Sequence, residues 1–335
     1  MTDSESACPK CAAVVGRADR FCEACGTVLA DIRQVGVPRH ERATEGPCGD
    51  CGNTKPFGEY CDVCGHRRTL PDRDEAEIGP VFVITDRGVE HAANEDAAAA
   101  GVVAGGADRP ALIAAVVCDG VSSSRESSAA AVAASTAGVD AMLMALNGSR
   151  QARAAMLEGL AVAAKAAAAA RTDPTTAPSC TYTAVTVVPE AEGAVQITVG
   201  NVGDSRAYWF PAPPEPGQQL TVDDSVAQEL ITAGLPADSE AVLRGAHTIT
   251  RWMGADAEPQ PWADSSVHAL TVNGPGVVLL CSDGLWNYLP EAADVGRFLE
   301  GTDPVTAARA LVDHAIRAGG SDNITVIVIP IGGPA

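Results

Sequence analysis

The sequence predicts an α+β fold, with antiparallel sheets and paired helices behind a small cysteine-rich module. Three observations lead there. Apolar β-branched runs succeed one another like hairpins, long alanine-rich stretches come in pairs, and eight of the 11 cysteines lie in the first 64 residues as four C-x-x-C pairs. Strict strand–helix alternation, the mark of a doubly wound parallel sheet, is missing.

The cysteine pairs are Cys8/Cys11, Cys22/Cys25, Cys48/Cys51 and Cys61/Cys64, and they form two clusters with ten or nine residues between pairs. Phe21-Cys22-Glu23-Ala24-Cys25-Gly26 recurs as Tyr60-Cys61-Asp62-Val63-Cys64-Gly65, so 1–29 and 46–68 read as an internal repeat. Four thiolates at about 2.3 Å satisfy a tetrahedral zinc ion, and each C-x-x-C turn presents two of them. The reading is two zinc ribbons, each closed by structural Zn2+ with no open position for catalysis. Sequential pairing is favoured by the short loops, and a cross-braced arrangement stays open. Gly26, Gly52 and Gly65 follow a second cysteine, where the knuckle turns with positive φ. With no export signal in MTDSESACPK, thiolate–metal binding is favoured over disulfides and the cytosol over an oxidising compartment. Near-neutral charge and few aromatics argue against nucleic acid at the ribbons and for a protein partner.

A polar connector at 31–45 and a solvated linker at 69–79 complete a division into a ribbon module (1–68), the linker, and a large domain (80–332). Strands are expected at 81–85, 111–118, 181–188, 194–199, 205–210, 276–281 and 323–329. Helices are expected near 124–147, 150–171, 290–300 and 304–318, the last with Asp303 as N-cap and Pro304 at its first position. Ser124 is a candidate N-cap for the first. Cys118, Cys180 and Cys281 sit in apolar runs as buried filler. Nearly all of the net charge of −20 falls on the large domain. That field repels nucleic acid and anionic membranes, and it repels phosphorylated substrates unless bound cations reverse it locally.

Such cations have candidate ligands. Asp119-Gly120 and Asp283-Gly284 end apolar runs, Asp322-Asn323 begins one, and Glu95-Asp96 follows the first strand. A pair of divalent ions needs carboxylates from several strands, because one segment cannot surround it. Gly120 leaves its own carbonyl open to a cation.

These residues also carry a resemblance. TDRGVEHAANEDA (85–97), VVCDGVSSS (116–124), SCTYTAVTVV (179–188), VGNVGDSRAY (199–208), ITRWMG (249–254), LLCSDGLWNYL (279–289) and GGSDNITVIVI (319–329) resemble, in order, the motifs of metal-dependent protein phosphatases of the 2C type. The resemblance implies a four-layer α/β/β/α sandwich of two antiparallel sheets over about 81–331. It implies two Mg2+ or Mn2+ ions, with Asp119 bridging, the Gly120 carbonyl on one ion, and Asp283 and Asp322 completing the ligands. Glu95 is similar to the residue that holds metal-bound water, with Asp96 supporting the site. A bridging hydroxide attacking phosphoserine or phosphothreonine in products of a serine/threonine kinase is the implied reaction. Asp204 and Arg206 are expected as a structural pair, and 221–258 as a variable flap presenting Arg251 and Trp252.

The chain departs from that pattern at two places. His91 stands where many relatives carry a phosphate-gripping Arg, so His91, Arg87 or Arg125 is expected to contact substrate in its stead. Val121-Ser122-Ser123-Ser124 replaces the loop that in relatives carries a His assigned as general acid. The alternative is therefore a catalytically weak, phosphatase-like scaffold that binds phosphoproteins.

Overall fold

The structure is a computed structural model and describes residues 6–7, 10–11, 13–15, 21–26, 32–39, 51–54, 61–65, 72–103, 111–213 and 215–332. In chain order it contains β1 (Ser6–Ala7), β2 (Val14–Val15), β3 (Ile32–Val37), β4 (Arg73–Ile78), β5 (Val81–Asp86), β6 (Ala97–Val103) and β7 (Leu112–Cys118). Helices α1 (Ser127–Asn147) and α2 (Ala152–Ala169) follow, then β8 (Ser179–Cys180), β9 (Tyr182–Pro189), β10 (Val195–Val202), β11 (Arg206–Pro211) and β12 (Gln218–Gln219). Next come α3 (Val226–Thr232), α4 (Glu240–Gly245), β13 (Met253–Gly254), β14 (Val267–Val272) and β15 (Gly276–Cys281). Last are α5 (Asp283–Trp286), α6 (Ala292–Leu299), α7 (Pro304–Ala318) and β16 (Ile324–Ile331).

Two six-stranded antiparallel sheets stack face to face, one ordered β14-β10-β9-β7-β6-β3 and the other β12-β11-β15-β16-β5-β4. Alternation along each strand gives each sheet two apolar faces. Val83, Val117, Val185, Val199, Leu280 and Ile329 fill the space between the sheets. The opposite residues of the first sheet, among them Val116 and Tyr182, meet α1 and α2 through Ala134, Met142, Met156 and Leu160. Those of the second, among them Phe82, Leu279 and Val328, meet α6 and α7 through Val295, Leu311 and Val312. This is the four-layer α/β/β/α sandwich expected from the motifs. Full burial of each such side chain contributes about 1.5–3 kcal/mol. By length and composition α1 is apolar enough to cross a membrane, and it instead lays its small residues on the first sheet.

Asp303 caps α7 as expected, accepting from the amides of Val305 (3.1 Å) and Thr306 (2.9 Å), with Pro304 in the first turn. Ser124 does not cap α1. Its hydroxyl accepts from the Ser179 amide at 3.2 Å, and Glu126, at φ 65°, occupies the cap position.

Two stretches read as connector and linker are strands. Within 31–45, β3 pairs antiparallel with β6, and within 69–79, β4 pairs with β5. In β4, Asp74, Ala76 and Ile78 are buried while the charged neighbours point outward, a period of two hidden among charges. The two edges are tied together: Arg39 Nε donates to Asp74 Oδ2 at 3.0 Å, and Asp74 is only 8% exposed. The ribbon module and the sandwich therefore interleave along the chain. Deleting residues 1–70 removes β3 and takes the Arg39 guanidinium away from Asp74, which costs several kcal/mol. A melting temperature at least about 5 °C below that of the full chain is the expected result, since each kcal/mol is worth about 2–4 °C at this size.

Candidate active site

Three sheet ends converge on one cleft. Asp119 follows β7, Asp283 follows β15, and Asp322 precedes β16, so the two sheets each contribute. The main chain around them is locked by reciprocal bonds. The Thr181 amide donates to Asp119 O at 2.8 Å, and the Asp119 amide donates to Thr181 Oγ1 at 2.9 Å. Across the other sheet, the Thr325 amide donates to Ser282 Oγ at 3.0 Å, and the Ser282 amide donates to Thr325 O at 3.1 Å. The glycine after each of the first two aspartates is dictated by proximity. A Cβ on Gly120 would lie 2.6 Å from the Glu95 carbonyl oxygen, and one on Gly284 would collide with the Asn323 carbonyl.

The cleft has a volume of about 470 Å³, and Asp119, Gly120, Asp204, Asp283 and Asp322 all line it. Burial, reinforced by repulsion from neighbouring carboxylates, holds Asp119 far above the usual carboxylate range. Burial and then Asp322 raise Asp283. Burial, followed by Asp283 and Asp223, pushes Asp204 up to about 8. Asp283 Oδ1 is buried with no hydrogen-bond partner. Carboxylates gathered this closely repel one another unless protons or cations neutralise them. The all-oxygen donor set suits hard divalent ions such as Mg2+ or Mn2+.

Asp204 is the residue that sequence reasoning misassigned. It was expected to pair with Arg206, yet Arg206 pairs with Asp223 at 2.8 Å and lies 3.9 Å above the Trp286 ring. Asp204 faces the cleft, and its carbonyl accepts from Trp286 Nε1 at 2.9 Å. The signal was its place in the tight turn between β10 and β11, at the same sheet end as the other aspartates.

Glu95 and Asp96 lie beside and beneath the cleft. Glu95 Oε1 accepts from Ser127 Oγ at 2.7 Å, and its amide donates to Asn323 Oδ1 at 2.7 Å. Asp96, 1% exposed, accepts from Ser282 Oγ and Thr325 Oγ1, each at 2.7 Å, and so braces the strands that carry Asp283 and Asp322. Burial keeps its carboxyl well above the usual range against those two hydrogen bonds.

His91 and Arg87 take different places. His91 Nε2 stands 3.2 Å from Asp322 Oδ1, at the edge of the cleft. Arg87 is committed elsewhere, donating to Asp72 Oδ1 at 2.7 Å and to the His91 carbonyl. His247, which sequence reasoning did not single out, stacks on Trp286 with Nδ1 3.9 Å from Asp283 Oδ2. A second groove of about 540 Å³ shares Val121, Ser123, His247 and Ile249 with the cleft and extends to Arg125 and Trp252. The flap that frames it carries α3 and α4, and Arg251 in it pairs with Asp224 at 2.9 Å.

At the N-terminus, the sulfurs of Cys11, Cys22 and Cys25 lie within 4.8 Å of one another, as do those of Cys51, Cys61 and Cys64. Cys8 and Cys48 lie outside the described residues. Each trio draws on consecutive pairs, as sequential pairing expects. Gly26, Gly52 and Gly65 have φ of 70°, 71° and 72°. The Cys64 and Val63 amides lower Cys61 to about 6, so it is a thiolate at neutral pH and suited to a soft metal.

No protein-family model matches the chain. It is 30% identical over 146 residues to the serine/threonine phosphatase stp of Listeria innocua, covering 43% of this chain and 55% of that one. The chain thus spans about half the length of the curated relatives it matches. Among solved structures, it is similar to the PPM Ser-Thr phosphatase MsPP of Mycobacterium smegmatis in complex with cacodylate, at 28% identity and a TM-score of 0.56, over 77% of this chain and 100% of that one. It is also similar to the catalytic domain of the serine threonine protein phosphatase PstP in complex with two manganese ions, at 25% identity and a TM-score of 0.51, over 75% and 97% of the two chains. Its homologues and structural neighbours are PPM-type serine/threonine phosphatases.

Proposed function

We propose that this chain hydrolyses phosphoserine and phosphothreonine in proteins with the help of two Mg2+ or Mn2+ ions. The observation that carries the reading is the convergence of Asp119, Asp283 and Asp322 on one cleft, with Asp283 Oδ1 buried and unpartnered. Asp119, the Gly120 carbonyl, Asp283 and Asp322 hold the cations, Asp204 adds charge at the same wall, and Glu95 orders water at the edge. Bound there, the cations supply an activated water for attack on phosphorus and neutralise the phosphoryl oxygens. Asp96 keeps the strand ends in register through Ser282 and Thr325.

Arg125 is the side chain we assign to the phosphate. It is exposed at the adjoining groove and, among the described residues, has no ion-pair partner, whereas Arg87 is spent on Asp72. Arg125→Ala should raise KM for a phosphopeptide about tenfold with kcat changed less than about threefold, as loss of one charge-assisted contact requires. His91→Arg should lower KM only if Arg125 leaves the phosphate under-held; an unchanged KM supports rescue by Arg125.

Two Zn2+ ions per chain, one in each cysteine cluster, are proposed as structural, with the ribbons as a docking site for a protein partner. The cytoplasm is the proposed compartment, and proteins modified by a serine/threonine kinase are the proposed substrates. The scaffold alternative draws on two observations, the absence of an arginine at position 91 and the replacement of the histidine-bearing loop by Val121-Ser122-Ser123-Ser124. Hydrolysis of p-nitrophenyl phosphate by purified protein, with Mn2+ and after chelation, tests both readings. Turnover that does not depend on divalent cation sinks the proposed mechanism, and no turnover favours the scaffold.

A further inference from the structure

We infer that the cavity between Trp252 and Trp262 is a subsite for a basic side chain of the substrate peptide, near the phosphorylated residue. The inference rests on the phosphatase reading and names a sequence preference for it. The cavity measures about 420 Å³ and is lined by Arg251, Trp252, Asp256, Glu258, Gln260 and Trp262, among others. It shares Trp252 and Asp256 with the groove, and the groove shares His247 and Ile249 with the carboxylate cleft. A peptide whose phosphate sits among the aspartates therefore has a continuous path past His247 to the two indoles.

The chemistry of the walls selects the occupant. The positive charge of Arg251 is offset by Asp224, which its guanidinium meets at 2.9 Å. Asp256 accepts from Trp252 Nε1 at 2.9 Å through Oδ1, and Glu258 has no ion-pair partner among the described residues. Two carboxylates beside two indoles suit a guanidinium or ammonium group, which the carboxylate charge attracts and an indole ring can also hold. An apolar side chain would strip water from Asp256 and Glu258 with no compensating bond. The net charge of −20 adds a long-range field of the same sign.

The test is a set of matched phosphothreonine peptides with arginine, lysine, leucine, alanine or glutamate placed one to six positions on either side. Turnover is followed as phosphate release by the full chain with Mn2+. Arginine at one offset should raise kcat/KM about tenfold over alanine, chiefly through KM, and glutamate should lower it. Glu258→Gln and Asp256→Asn, both at exposed positions, should each cut the arginine preference at least about threefold. Trp252→Ala should abolish it, and the two carboxamide variants keep the test intact if that variant fails to fold.

A flat profile, a preference for leucine, or an arginine preference untouched by both carboxamide variants overturns the subsite. Wild-type turnover of p-nitrophenyl phosphate separates the two claims. If it is present beside a flat peptide profile, only the subsite falls; if it is absent, the phosphatase reading falls and the subsite with it.

Discussion

Asp283→Asn should abolish Mn2+-dependent hydrolysis of p-nitrophenyl phosphate, lowering kcat/KM by at least about 100-fold, while the metal-free fold stays as stable as the parent or becomes more so. The two halves of this expectation have one cause. Asp283 is pressed between Asp119 and Asp322 at the floor of the cleft, with one oxygen buried and unpartnered. With cations bound, that oxygen is a ligand, and a neutral amide cannot supply the lost charge. Without cations, burial and the neighbouring carboxylates disfavour a charge at this position, so a neutral amide there costs the metal-free fold little or relieves it. Asn287 Nδ2, 3.4 Å from Asp283 Oδ2, has a carbonyl oxygen to bind instead in the variant. Activity assays and metal-free melting curves read the two halves separately. Loss of activity accompanied by a large drop in metal-free stability would mean that Asp283 holds the fold and not the ions.

The metal-free protein should lose stability as pH rises from about 5 to 8.5, and saturating Mn2+ should remove that slope. Asp204 shows the sign: its folded value of about 8 lies above its ordinary value of 3.8. Between those values the folded chain keeps a proton that the unfolded chain releases. The stabilisation is complete below the ordinary value and fades as pH climbs through the folded one, by up to about 1.4 kcal/mol per pH unit for each such group. Asp96, Asp119 and Asp283 are raised too and add in the same direction. Asp74, Glu126 and Asp303 are lowered, so their contributions are already complete near pH 5; the lowered Cys61 and His268 gain stability as pH rises and oppose the trend, but they are outnumbered by the raised carboxyls. Cation binding to the ionised cluster adds stability by mass action and grows as the protons leave. Melting curves in chelator and in Mn2+ at pH 5.5, 7 and 8.5 check this. A metal-free protein that gains stability over that range would refute the crowded-carboxylate picture.

The long β-branched runs, such as Gly276–Cys281 and Ile324–Ile331, were legible as strands because burial on both faces leaves no other use for them. The run Ala97–Val103 was missed: four alanines carry no strand propensity of their own, and this strand exists because β3 and β7 flank it. In Arg73–Ile78 the alternation was masked by a buried aspartate whose partner, Arg39, is 35 positions away along the chain. At the site, motif order located Asp119, Asp283 and Asp322. Only the fold distinguished the roles of two arginine–aspartate pairings, because Asp223 arrives from outside the motif to take Arg206 and leaves Asp204 to the cleft. Arg87 and Arg125 were equivalent cations in the sequence until Asp72 claimed the first.

The strand between the two cysteine clusters also bears on solubility. Ile32–Val37 caps Ala97–Val103, and Arg73–Ile78, with its alternating charges, caps Val81–Asp86. Beneath these covers lie some of the most apolar extended segments of the chain, whose main-chain donors and acceptors would recruit another copy if uncovered. A proteolytic nick that sheds the first cover should therefore show itself as concentration-dependent oligomers in light scattering, even where catalysis by the remaining monomer persists.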